Sequence, residues 1–170
     1  MGISTSVLFV TDEQIQEFTK HPIDAENLFI GCINFGTEKC CHLHQYWNRL
    51  HYLLTGEVEG GDLPLCALKR GDVTYAGVLD PTHAIYSTTT KALSQELNTL
   101  SEQKLSERFD PSRTITSGGH PVYPGRLWLN PKQTETTSRE LISYFGRLRD
   151  FAVRAAREDK GLLFCRYEDF

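Results

Sequence analysis

Trp47-Asn48-Arg49-Leu50-His51-Tyr52-Leu53-Leu54-Thr55-Gly56 decides how the chain is read. Its apolar residues recur at helical spacing, and Gly56 follows where a left-handed cap stops a helix. Extended backwards, Cys40, Leu43, Trp47, Leu50 and Leu54 continue the same spacing, which predicts one long helix from Thr37 to Leu54 with a single buried stripe. That stretch also concentrates the ligand-type side chains Cys40, Cys41, His42, His44 and His51. Cys40 and His44, four apart, are spaced to share a metal. On a straight helix, however, His51 lies about 10 Å further along the axis than His44. Both imidazoles therefore cannot reach one zinc, and no CxxC or HExxH pattern supplies the missing ligands. The helix is read as a core-forming spine, with no metal site and no cofactor.

Outward from this helix, Ile3 to Val10 is apolar and β-branched and reads as a strand. Thr11 caps a helix, with Gln14 completing a capping box, and Pro22 ends it. Leu28 to Phe35 is an apolar run whose pattern suits helix and strand equally. Glu57 to Asp62 is a polar loop. Short apolar pieces follow at Leu65–Leu68 and Tyr75–Leu79, with a strand at His83–Tyr86. Thr88 or Thr89 then caps a helix carrying Leu93, Leu97 and Leu100, and Ser101 begins another that Asp110-Pro111 closes. After a loop from Thr114 to Gly125, Thr137 caps a long amphipathic helix whose core face is Leu141, Phe145, Leu148 and Ala152. Gly161 is expected to end it, and Leu162–Tyr167 forms a last strand. With no repeat and no linker, residues 1–170 read as one α+β domain.

Composition narrows the function classes. The 170 residues carry 22 acidic and 18 basic side chains, a net charge of −4. Nonspecific nucleic-acid binding needs a basic footprint, which this balance lacks. No apolar run approaches the roughly 20 residues of a membrane span. The N-terminus has no basic region before its apolar stretch, so it does not read as a signal peptide. Five cysteines form an odd, irregular set and read as reduced thiols of a cytoplasmic protein.

Candidate catalytic patterns fail on spacing. Thr116-Ser117-Gly118-Gly119-His120 brings a serine near a histidine, but no orienting acid accompanies them, and Gly118-Gly119 lacks the lysine of a phosphate-binding loop. Glu57, Glu59 and Asp62 do not match a calcium loop. On the last long helix Arg139, Arg147, Arg154 and Arg157 share one side. Asp150 and Glu158 each lie four residues from Arg154, a spacing expected to neutralise that stripe.

The order of marks along the chain resembles the YfbM-like family. They are Met1-Gly2 opening a strand, Trp47 with Leu50 to Gly56, Leu63-Pro64-Leu65 leading to Gly71, Leu105 to Pro111, Tyr123-Pro124-Gly125, and Leu162-Leu163 after a long helix. The resemblance implies an α+β, helix-rich single domain with a small mixed sheet, and it brings no reaction, cofactor or catalytic residue. Thr82 to Thr90 and Gly118-Gly119-His120 depart from the family pattern.

Two functional expectations follow. The first is a non-enzymatic binding module whose partner is another protein, a toxin or secreted effector of basic character. The acidic loop Glu57, Glu59 and Asp62, with His120, would be its contact surface. The alternative is a small-ligand protein or enzyme with a pocket beside Trp47, His51 and Tyr123, where His51 moves a proton. The sequence specifies neither the partner nor the oligomeric state.

Overall fold

The computed structural model describes residues 3–36, 38–57, 59–76, 82–109 and 131–168, with side chains from residue 138 onward in the last stretch. Strand β1 (Ile3–Val10) is buried along all but its first residue, because it lies inside a sheet rather than at its edge. It pairs with β5 (Gly161–Glu168) over their whole length, from Ile3 opposite Glu168 to Val10 opposite Gly161. Strand β2 (Cys40–His44) adds on the other side of β1. Strands β4 (Thr82–Ile85) and β3 (Val73–Tyr75) extend the sheet beyond β5, giving the order β2-β1-β5-β4-β3. Every pairing is antiparallel, so the small sheet is not mixed.

Because successive side chains of a strand point to opposite faces, β1 and β5 feed two cores. Val7, Phe9, Leu162 and Phe164 pack under α3 (Trp47–Thr55), α4 (Ser87–Thr99), α5 (Glu102–Arg108) and α6 (Pro131–Arg157). Leu8, Val10, Leu163 and Cys165 pack under α1 (Asp12–Lys20) and α2 (Pro22–Phe35). The architecture is α+β, helices covering both faces of one antiparallel sheet.

The long helix expected from Thr37 to Leu54 does not form. Residues Cys40 to His44 are strand β2, and the helix begins only at Trp47. Cys41 and Leu43 are buried whereas Cys40, His42 and His44 are half-buried or exposed, which is the two-residue period of a strand. The 3-4 spacing of Cys40, Leu43 and Trp47 is coincidental. Pairing with β2 satisfies the backbone of β1, a demand that side-chain periodicity does not register. His44 turns the chain at φ 48°, and Gly56 closes α3 in the left-handed conformation at φ 76°, its N–H donating to the Tyr52 carbonyl.

Other boundaries moved for identifiable reasons. Pro22 does end α1, and it also occupies the first turn of α2, where its missing N–H costs nothing. The ambiguous Leu28–Phe35 run is helix. Helix α4 starts at Ser87, ahead of Thr88 and Thr89, because its N-terminus is capped from a distance: Asp12 accepts from the Ser87 backbone N–H at 2.8 Å and from its hydroxyl at 2.7 Å. Helix α5 ends at Arg108, while Asp110-Pro111 lies outside the described residues. Helix α6 starts at Pro131, six residues before Thr137.

Helix α6 also stops short of Gly161. Lys160 N–H bonds to the Ala155 carbonyl and Asp159 N–H to that of Ala156, with Asp159 at φ 52°. This is a Schellman closure with aspartate where glycine is usual, and the carboxylate is held by Lys91 of α4. Leu65–Leu68 is a 3-10 turn, and the Tyr75–Leu79 piece is strand only as far as Tyr75; residues 77–79 lie outside the described set. Among the described residues no helix is long and apolar enough to cross a membrane.

The Thr11 capping box forms as read: Gln14 N–H donates to Thr11 Oγ1 at 3.1 Å, and Thr11 N–H to Gln14 Oε1 at 2.9 Å. Replacing Thr11 by alanine is expected to cost about 1 kcal/mol. Urea denaturation checks this, and a loss below about 0.3 kcal/mol would show the box to be ornamental.

Candidate functional site

Trp47 and His51, expected to line a pocket, are committed to the interior. The indole N–H of Trp47 donates to the Ile3 carbonyl at 2.9 Å, tying α3 to the start of β1. Over its ring stand the Arg166 guanidinium, 4.2 Å from the centroid, and Lys69 Nζ at 5.6 Å. Arg166 in turn donates to the carbonyls of Leu68 and Lys69, both at 3.0 Å, satisfying the end of the 3-10 turn. This is a cation–π clamp joining β5, α3 and that turn. His51 is wholly buried, its Nε2 3.5 Å from Thr55 Oγ1. Burial lowers its pKa to about 4, helped by Lys69 and, less, Arg166, against the opposing pull of Glu59 and the Gly60 backbone. An imidazole so placed is neutral at pH 7 and out of reach of a substrate. Tyr123 and His120 lie outside the described residues.

The acidic loop is partly neutralised by its own fold. Glu59 is held by Lys69 at 2.6 Å, and Asp62 stands 3.7 Å from Arg70. Glu57 and Asp62 line a shallow groove of about 370 Å³ with Thr55, Leu63, Leu65 and Glu96. Glu96, from α4, joins the acids only through the fold and carries no local sequence signal.

The histidines and cysteines gather instead around β2. Ser6 Oγ lies 2.7 Å from His42 Nδ1 and 3.4 Å from the Tyr167 hydroxyl, and Cys40 Sγ is 3.6 Å from His42 Nε2. A serine–histidine pair at that distance invites a hydrolase reading, which three facts oppose. Ser6 is fully buried. The second nitrogen of His42 faces a thiol rather than an orienting acid. Burial, with neighbouring cysteines, pushes the Cys40 thiol up to about 12, so it stays protonated. The arrangement satisfies buried polar groups. Cys41 and Cys165 are likewise pushed to about 11 and about 12, chiefly by burial, and none of the five cysteines forms a disulfide. Among the described residues no group of three or more His, Cys, Asp and Glu is placed to hold a metal ion.

Two surface features were not anticipated. Helix α2 turns Ile23, Ile30, Ile33 and Phe35 to solvent, at 55%, 44%, 40% and 84% exposure, while Ala25, Phe29 and Cys32 fill the core. The expected pairing along α6 also fails. Arg154 donates to the Glu38 carbonyl at 3.1 Å rather than binding Asp150 or Glu158, and Asp150 pairs with Arg149 at 3.2 Å.

Comparison with known proteins adds the fold and the family. Residues 1–165 match the family described as "Domain of unknown function (DUF1877)". The crystal structure of YfbM from Escherichia coli, a protein of unknown function, covers 96% of this chain and 99% of its own, with a TM-score of 0.72 at 14% identity. No curated protein matches. The α+β fold is thus shared with YfbM, and the chain belongs to the DUF1877 family of YfbM-like proteins.

Proposed function

We propose that this protein is a non-enzymatic binding module that occludes another protein, in the manner of an immunity protein neutralising a toxin or secreted effector. The observation that carries the reading is α2. An amphipathic helix turns its apolar residues to the core and its polar ones to water, yet this one exposes Ile23, Ile30, Ile33 and Phe35. Its charged residues, Asp24 and Glu26, lie in the N-terminal half, so its C-terminal half presents only apolar and amide side chains. Such a surface is characteristic of a protein interface. The contact region therefore moves from the acidic loop to α2. Glu57, Asp62 and Glu96 remain as a secondary surface suited to a basic partner, at the groove beside α4.

The test is co-expression with a toxin encoded by a neighbouring gene. Wild type is expected to form a complex and restore growth. Ile30→Glu with Ile33→Glu, at exposed positions, is expected to keep the melting temperature within a few degrees and to lose both complex and rescue. Absence of complex and rescue with wild type would sink the proposal.

A further inference from the structure

A groove of about 440 Å³ runs between β2 and α6, lined by Glu38, Cys40, Cys41, His42 and His44 on one side and Arg147, Asp150, Phe151 and Arg154 on the other. Cys40 and Cys41 are neighbours in a strand, so their side chains leave opposite faces of the sheet. One groove touches both only where it follows the strand's open edge. Strand β2 is indeed terminal in the sheet. Phe9 N–H donates to the Lys39 carbonyl, so residues 39 and 41 direct their peptide groups to β1. Cys40 and His42 direct theirs outward, into the groove. Exposed edges are usually blunted by lysine, proline or a bulge; β2 contains neither lysine nor proline, and its register shift against β1 lies beyond His42.

Helix α6 runs alongside this edge in the opposite direction. Arg154 meets Glu38 at the start of β2, and the Tyr144 ring lies 5.9 Å from that of His44 at its end. Arg147 and Arg154 have no carboxylate partner among the described residues; Arg147 rests over Tyr144, and Arg154 over Phe9. Between them Asp150 makes one exposed ion pair with Arg149. The helix wall therefore reads plus, minus, plus. Asp150 stands about 4.5 Å and Arg154 about 10.5 Å along the axis from Arg147. Same-face residues of an extended chain fall about 6.6 and 13 Å apart, differences that long side chains span.

We propose that this edge is a peptide-docking site. An extended segment of a partner protein adds as a sixth strand beside β2, bonding to the peptide groups of Cys40 and His42. Its residues facing α6 follow the order acidic, basic, acidic at alternate positions, meeting Arg147, Asp150 and Arg154. This is a second surface, separate from the outward face of α2, and it stands or falls independently of the function proposed above.

The probe is a fluorescein-labelled nine-residue peptide alternating threonine and valine, with Glu-x-Lys-x-Glu at its centre, compared with its charge-reversed twin. The first is expected to bind wild type about tenfold more tightly, the combined effect of three exposed ion pairs. Arg147→Glu with Arg154→Glu should reverse the preference. Methylating the peptide nitrogens that face β2 should abolish binding, and bound peptide should protect the amides of Cys40 and His42 from exchange. Equal binding of the twins to wild type, binding that survives methylation, or no binding of either up to about 1 mM overturns the proposal.

Discussion

Acidification from pH 7 to pH 4 is expected to remove several kcal/mol of stability, most of it through two buried histidines. His83 lies in β4, its ring stacked on Phe164 at 5.0 Å and its Nε2 2.7 Å from the Ala67 carbonyl. That contact puts the proton on Nε2 and leaves Nδ1 bare, with no donor among the described residues. Burial lowers the pKa of His83 to about 4; the Ala67 carbonyl pulls upward and Arg166 downward. His51 is lowered to about 4 as well. In the unfolded chain each titrates near 6.5. Between pH 6.5 and 4 the unfolded state therefore binds more protons than the folded one, so stability rises with pH and is lost as pH falls. A shift of about 2.5 units is worth roughly 3 kcal/mol per histidine at most, against the 5–15 kcal/mol total typical of a domain. Urea midpoints from pH 7 to pH 4 would show the decline. His51→Asn with His83→Gln should flatten its slope whatever the variant's absolute stability, and an unchanged slope would mean other groups carry the acid sensitivity.

These two histidines also show where the sequence was informative and where it was not. His51 was correctly placed beside Trp47 and Leu50 on a helix closed by Gly56, because α3 is local and its signals are local. Its use as a proton carrier was misjudged, since burial comes from Lys69, Arg166 and the 3-10 turn, all distant in sequence. Strand β1, the Thr11 cap, the start of α5 next to Ser101 and the last strand were legible for the same reason as α3. Strand β2 was not. Five residues offer only two buried positions, Cys41 and Leu43, and a stronger helical pattern next door absorbed them. What makes them a strand is the open edge of β1. The Asp12 cap on α4 and the bond from Arg154 to the Glu38 carbonyl likewise depend on partners 75 and 116 residues away. The apolar face of α2 was visible as composition, but which side of that run meets solvent is decided by the sheet beneath it. The family resemblance supplied the fold and no chemistry, so the candidate surfaces had to come from the packing.

Substituting four glycines by alanine should split them by sign. Gly161 opens β5 and pairs with Val10, while the next residue, Leu162, pairs with Ile85. A Cβ at Gly161 would stand 2.5 Å from the Ile85 carbonyl oxygen and 2.7 Å from Ile15 Cδ1; one at Gly71 would stand 2.2 Å from the Ala84 carbonyl oxygen. Neither glycine needs a positive φ, so conformational freedom is not the reason for it. The obstacle is backbone held by a sheet ladder, which cannot swing aside as a side-chain tip does. Overpacking of that kind costs 1–3 kcal/mol where neighbours yield. Here β4 is fixed by both β3 and β5, and each substitution is expected to cost about 3 kcal/mol or more. Gly31 in α2 and Gly146 in α6 have nothing within 4 Å of an added Cβ. There alanine removes only unfolded-state freedom and a helix penalty, and should stabilise by about 0.5–1 kcal/mol each. Equilibrium urea denaturation of the four variants decides the matter. A loss under about 1 kcal/mol at Gly161 and Gly71 would mean that the sheet gives way at its β4–β5 seam.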